Sequence, residues 1–194
     1  IMKYLLCIII WMVSLMSNAQ IIQDIFCDFV TDGTGESKGL KIKIKFPCDW
    51  DATPGDRPGV IKSFSFKITD SVYSYITLNI IKEKEITSKY KDNALKPEEI
   101  KKSFQQAGEF ISYRMTKIDM LDCAEVVFRA KVETPLGEIM MDNLGYLFFY
   151  KDFQIFLTYT VGAVDSNIAK KYFEKSNLIF KLLATKTVVI SQWE

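Results

Sequence analysis

The sequence predicts one α+β domain, an antiparallel β-sheet sandwiched by helices. Three observations carry the prediction. Residues 40–46 alternate strictly between apolar side chains and lysine, the period of a half-buried strand. Four strand-like segments follow one another between residues 111 and 161, joined by links of hairpin length. Two helical patterns interrupt the strands, one opening at Pro97 and one after Asp165. Strand runs broken by helices, with hairpin links, pack as helices on an antiparallel sheet.

The chain opens with a targeting pattern. Lys3 precedes an apolar run from Leu5 to Met16, and Ser17-Asn18-Ala19 then supplies a small-x-small triplet. Residues 1–19 therefore read as a cleavable signal peptide and 20–194 as a single exported domain beginning at Gln20. The apolar run is about twelve residues long, where a spanning helix needs roughly twenty. Stable membrane insertion after cleavage is not expected, and no cysteine follows the triplet as an acylation site.

The mature elements follow in order. Residues 21–30 form a weakly patterned strand, and the loop from Asp32 to Gly39 is rich in residues that tolerate positive φ. Leu40, Ile42, Ile44 and Phe46 face a core while Lys41, Lys43 and Lys45 face water as the solvated side of an edge strand. Pro47 ends that strand, and residues 47–59 are expected to be irregular or a short helical turn. Two strands follow over 60–68 and 73–82, then a charged stretch from 82 to 96. Pro97 suits the first position of a helix whose stripe is Ile100, Phe104, Ala107 and Ile111, and which ends near Gly108. Strands at roughly 111–119, 124–133, 138–150 and 153–161 come next. A tight turn at Thr134-Pro135-Leu136-Gly137 links the second to the third, and Lys151-Asp152 links the third to the fourth. That last hairpin sets Tyr150 opposite Phe153, Phe148 opposite Ile155 and Tyr146 opposite Leu157. Leu144–Tyr150 is apolar on both faces, the mark of a central strand. Asp165 or Ser166 caps a final helix with Ile168, Tyr172, Ile179 and Leu183 inward, and Val188–Ile190 forms a last extended piece.

Composition excludes several chemistries. There are 25 Lys and Arg against 24 Asp and Glu, and loss of Lys3 on cleavage balances them. Nucleic-acid binding, which needs a basic excess, is not expected. Histidine is absent, which removes Ser-His-Asp and Cys-His catalysis and the usual zinc and haem sites. No cofactor and no metal are expected. The loop 32–39 fails the P-loop pattern because Ser37-Lys38-Gly39 runs in the wrong order. Its partial calcium-loop match through Asp28, Asp32 and Gly33 puts Val30 and Gly39 where oxygen ligands are needed.

The mature cysteines are Cys27, Cys48 and Cys123, giving either one disulfide and a free thiol or three thiols. If residues 21–30 and 40–46 form a hairpin that pairs Thr31 with Leu40, Cys27 faces Ile44. Cys48 then lies roughly 13 Å away, so a Cys27–Cys48 bond is not expected and any bridge involves Cys123.

The best surface-site candidate is the loop holding Asp49, Trp50, Asp51, Asp56 and Arg57, which gathers an aromatic, carboxylates and an arginine. The plainer alternative makes Trp50 a core plug and Asp56–Arg57 a local turn pair. The aromatic run from Tyr146 to Phe156 reads as core packing rather than a pocket lining.

Gly39-Leu40-Lys41-Ile42-Lys43-Ile44-Lys45-Phe46-Pro47 followed by Trp50 resembles the PsbP-like family, in which an amphipathic first strand ends in an aromatic-Pro pair with Trp a few residues on. The terminal helix rich in Lys and Phe is also similar, and the resemblance covers most of residues 38–185. That family shares its fold with a nuclear import factor that binds the GTPase Ran. The resemblance implies an α-β-α sandwich and a binding or assembly-assisting role without catalysis. Some members bind metal partly through histidine, which this chain lacks.

The expected function is therefore an exported, monomeric, non-catalytic module that binds a protein or small ligand and assists assembly of an envelope complex. The rivals are a carboxylate-dependent hydrolase of envelope material and a secreted effector that contacts a host protein. Exported protein should begin at Gln20 and dissolve without detergent. N-terminal sequencing checks this, and membrane-bound material starting at Met2 overturns it.

Overall fold

A computed structural model describes residues 25–83, 86–134 and 137–194. The expected leader and its cleavage point, residues 84–85 of the charged stretch and the Pro135-Leu136 centre of the expected turn lie outside the described residues. Strands β1 (Phe26–Val30) and β2 (Lys43–Pro47) pair as a ribbon. Strands β3 (Asp51–Pro54), β4 (Val60–Thr69), β5 (Val72–Lys82), β6 (Glu109–Ile118), β7 (Leu121–Thr134), β8 (Gly137–Tyr150) and β9 (Phe153–Ala163) form one antiparallel sheet in the order β3-β4-β5-β9-β8-β7-β6. Helices α1 (Ser88–Ala94) and α2 (Pro97–Ala107) carry the chain from β5 to the far edge at β6. Helix α3 (Ser166–Thr185) and the β1–β2 ribbon cover the opposite face.

Most strands sit where the alternation puts them, and the β8–β9 register is the one expected, including Tyr150 opposite Phe153 and Tyr146 opposite Leu157. β8 is covered on both sides. Leu144, Tyr146 and Phe148 join the core under α3, while Phe149 joins a smaller core with Ile100 under α1 and α2.

Several expectations need correction. The segment 47–59 holds β3, an edge strand that pairs Ala52 with Phe64. Pro54 is tolerated because an edge strand uses half of its backbone groups. Helix α1 sits inside the charged stretch, its Thr87 side chain accepting from the Tyr90 backbone N–H at 3.1 Å. It has no buried residue, so no apolar stripe announces it. In α2, Ile100 is buried and Phe104 half-buried as expected, but Ala107 and Ile111 are exposed, Ile111 having passed onto β6. The helix ends at Gly108, where a Cβ would land on the Arg129 carbonyl oxygen.

Helix α3 keeps two of its four expected inward residues, Leu183 buried and Tyr172 half-buried against the core, but its deepest contacts are shifted by one residue, about 100° of helix. Its inward side is Ala169, Phe173, Phe180, Leu183 and Ala184, while Ile168 and Ile179 are exposed. Both apolar stripes satisfy the helical period, so periodicity alone does not choose between them. The sheet chooses: Phe180 stacks on Tyr159 with centroids 5.2 Å apart, and the small Ala169 and Ala184 let the helix approach.

The lysine strand is less solvated than expected. Ile42 and Ile44 are fully buried and Phe46 is half-buried, but Lys41, Lys43 and Lys45 are also half-buried. β2 is no free edge, because β1 lies on one side and Val188 exchanges two backbone hydrogen bonds with Lys43 on the other, at 2.8 and 2.9 Å. Lys45 pairs with Asp28 at 2.8 Å and Lys41 with Glu194 at 2.7 Å.

Contrary to expectation, Cys27 and Cys48 form a disulfide, their Cα atoms 4.9 Å apart. The ribbon is shifted by two residues from the expected pairing, so that Cys27 faces Phe46. The cause is the connecting loop. It spends residues on a 3₁₀ turn at Gly35–Ser37 and closes on Thr31 and Ile42, with the Thr31 hydroxyl donating to Leu40 O and accepting from Ile42 N–H. The chain then turns after Pro47, where Trp50 N–H bonds Pro47 O, and swings Cys48 back over β1. Cys123 is free and fully buried, and burial followed by the charge of Glu125 pushes its thiol well up.

Two expected outcomes test this packing. Phe180→Ala should cost about 3–5 kcal/mol, and Leu178→Ala, on the outer side of α3, should stay within roughly 0.5 kcal/mol, both by denaturant unfolding. A thiol reagent at mildly alkaline pH should leave native protein of residues 20–194 unmodified and label a single cysteine, Cys123, after unfolding without reductant. Labelling of all three cysteines would remove the disulfide.

Candidate functional site

The two faces of the large sheet are unequally covered. On the side of α1 and α2, the helices sit over β6, β7 and part of β8, and the area over β4, β5 and β9 is open. The open area forms a cleft of about 760 Å³, continued by a second hollow of about 780 Å³ beside α1 and α2. Asn79 and Phe156 line both.

The strand register builds the cleft floor. Residues directly opposite in paired strands share a face, so rows of side chains run across the sheet. One row is Thr53, Ser63, Thr77, Thr158 and Gly145. The next is Asp51, Ser65, Tyr75, Thr160, Asn143 and Phe128. The same strands give their alternate residues, including Phe64, Ile76, Leu78, Leu157 and Tyr159, to the core under α3. The cleft is thus the polar reverse of the main core.

Part of this floor is locked. The Thr160 hydroxyl donates to Asn143 Oδ1 at 2.7 Å, and the Asn143 amide nitrogen donates to Met141 O at 2.9 Å. Among the described residues, the side chains of Ser63, Ser65, Thr77, Asn79 and Thr158 have no protein hydrogen-bond partner, and all five line the cleft. Burial, and then the neighbouring Tyr73, raises the Tyr75 phenol above its ordinary value, so it enters the cleft as a neutral hydroxyl. Phe156 lies flat enough over β8 that a Cβ on Gly145 would come within 2.7 Å of its ring. Phe104 packs on it from α2 with centroids 5.7 Å apart.

The five residues singled out in the sequence are divided by the structure. Asp56 and Arg57 stand at the cleft rim, paired with each other at 3.4 Å and largely exposed. Asp51 is exposed on the cleft side of β3, opposite Ser65. Trp50 goes to the other face, half-buried against the main core and stacked on Phe66 with centroids 6.1 Å apart. Asp49 is exposed in the turn before β3. The floor residues were missed, although a hydroxyl or amide at every second position of 63–65, 75–79 and 158–160 is a readable signal.

The two buried carboxylates, Glu125 and Asp142, are committed to the fold. Glu125, on the α3 side, accepts from Arg114 at 2.7 Å and from the Tyr146 hydroxyl at 3.1 Å, and pairs with Lys181 of α3 at 3.3 Å. Asp142 takes a two-point contact from Arg129 at 2.8 and 3.3 Å. Among the described residues, no cluster of three Cys, Asp or Glu side chains could hold a metal ion, and no helix is long and apolar enough to cross a membrane.

No family model matches the chain, and no curated protein matches it. Solved structures do. A cyanobacterial PsbP (CyanoP) from Synechocystis sp. PCC 6803 matches with a TM-score of 0.52 at 14% identity, covering 84% of this chain and 92% of that one. LpqN, involved in cell envelope biogenesis of Mycobacterium tuberculosis, gives 0.48 at 11% identity over 88% of this chain and 95% of that one. A protein of unknown function, PA94 from Pseudomonas aeruginosa, gives 0.43 at 7% identity over 83% and 94%. At these identities the likeness concerns architecture: the chain has a PsbP-like α+β fold, a seven-stranded antiparallel sheet packed against helices.

Proposed function

We propose that this chain is an exported, non-catalytic binding module whose ligand or partner sits in the cleft over β4, β5 and β9, in keeping with an accessory role in envelope assembly. The observation that carries the reading is the set of cleft side chains, Ser63, Ser65, Thr77, Asn79 and Thr158, that have no protein partner among the described residues. A hydrogen-bonding floor in a concave site is what orients a bound molecule. The cleft's carboxylates are Asp56, already paired with Arg57, and Asp51, exposed at the outer end of one row on the edge strand. That composition suits holding a molecule better than the paired acid and base of a carboxylate hydrolase. The Cys27–Cys48 disulfide supports an oxidising compartment.

A second reading, contact with another protein through α3, rests on its outer side, where Leu178 is 79% exposed beside exposed Ile179 and Leu182. One experiment separates the two. A photoreactive amino acid is placed at Thr77 or at Leu178, and the protein is irradiated in the cells that make it. The cleft reading expects adducts from position 77 and none from 178. Adducts from 178 alone would replace it with the α3 reading.

A further inference from the structure

We propose that the cleft takes an uncharged carbohydrate chain, laid across the strands with its hydroxyl groups on the Ser63–Thr77–Thr158 row and a sugar face against Phe156. This rests on the cleft being the binding site and goes on to name the ligand's chemistry.

The charge of the ligand follows from the lining. Asp56 and Arg57 stand at the rim of the first hollow and neutralise each other, Asp51 lies exposed at the outer end of one row, and the charged side chains of the second hollow, Lys96 and Glu99, are of opposite sign, so the Ser63–Thr77–Thr158 row itself carries no charge. An ionic group pushed onto the floor would lose water without meeting an opposite charge, which is costly. A purely apolar ligand fails for the converse reason. It would cover the hydroxyls of Thr77 and Thr158 and leave them unpaired. The fitting molecule is neutral, rich in groups that both donate and accept, and able to offer an apolar side to Phe156 and Phe128. Sugar rings combine these properties.

Spacing supports a chain rather than a single small polar molecule. Paired strands lie about 4.8 Å apart, so the row from Ser63 to Thr158 repeats hydroxyls at that interval over about 10 Å. The neighbouring row, Ser65 to Thr160, lies two residues along the strands, about 7 Å away. Hydroxyls on such a grid match a ligand whose own hydroxyls repeat. The cleft continues past Asn79 into the second hollow, which gives the chain a path toward α1 and α2.

An extended peptide is also neutral and polar along its backbone. Sheets that bind peptides do so by adding a strand at an open edge, where main-chain groups are free. Here the floor is the face of β4, β5 and β9, whose main-chain groups are paired in the ladder, and the free groups are side-chain hydroxyls. That favours the sugar.

The test uses the mature protein, labelled for amide NMR, and five probes. Maltohexaose, cellohexaose and chitohexaose are the neutral sugars; a galacturonic acid hexamer and a glycine-serine hexapeptide are the controls. At least one neutral sugar should shift the amides of Thr77, Asn79 and Thr158. Thr77→Val and Thr158→Val, which keep shape and remove the hydroxyl, should each weaken it about tenfold. Gly145→Ala should weaken it as well, by displacing Phe156, while Leu178→Ala leaves binding unchanged. Binding unaffected by both valine variants overturns the proposal, as does binding by none of the neutral sugars. Cleft shifts with the peptide or the anionic hexamer alone also overturn it. In each of those cases, adducts from position 77 would still uphold the cleft as the site. Loss of those adducts would take the cleft reading down with it.

Discussion

Pairing of β5 with β9 is the contact on which the rest of the molecule depends. It joins the β3-β4-β5 meander to the β6-β7-β8-β9 meander, and its register runs without a break from Val72 opposite Ala163 to Lys82 opposite Phe153. Because side chains alternate between faces, one register fixes two surfaces at once. Ile76, Leu78 and Ile80 meet Tyr159, Leu157 and Ile155 in the core, and Tyr75, Thr77 and Asn79 meet Thr160, Thr158 and Phe156 in the cleft. A slip of one residue would put hydroxyls under α3 and isoleucines in water. The core therefore enforces the geometry of the cleft, although no cleft side chain contributes much to it.

The parts of the fold legible in sequence are those where local pattern and tertiary packing agree. The Lys151-Asp152 hairpin is one case, since apolar runs on both sides leave a single sensible register. Asp165 is another, its carboxylate accepting from the Asn167 and Ile168 backbone N–H groups at the head of α3. The failures fall where two local solutions are equally good. α3 carries two adjacent apolar stripes, and the choice between them is made by the ring of Tyr159 across the interface. The β1–β2 register was decided by how many residues the glycine-rich loop consumes, which alternation cannot report. With the register went the disulfide.

The candidate site was half legible. Asp56 and Arg57 were found because charge and loop composition draw attention, and they reached the cleft rim. Thr77, Thr158 and Ser63 were passed over because threonine and serine on a strand are ordinary solvent-facing residues. Their significance lies in being neighbours, and neighbours on three strands separated by up to 95 positions cannot be seen in a linear chain.

The bond pair between Lys43 and Val188 has a consequence for how the chain becomes folded. It joins residues near opposite ends of the domain, and Ser191 and Glu194 add contacts to Lys41. Contacts so distant along the chain close late and slowly, because the whole intervening loop must be drawn in first. The ribbon that caps the main core thus has its outer edge completed by Val188, 145 positions beyond Lys43. Until Val188 docks, the backbone N–H and C=O of Lys43 lack that partner, so one side of β2 is completed by a contact that spans most of the described chain.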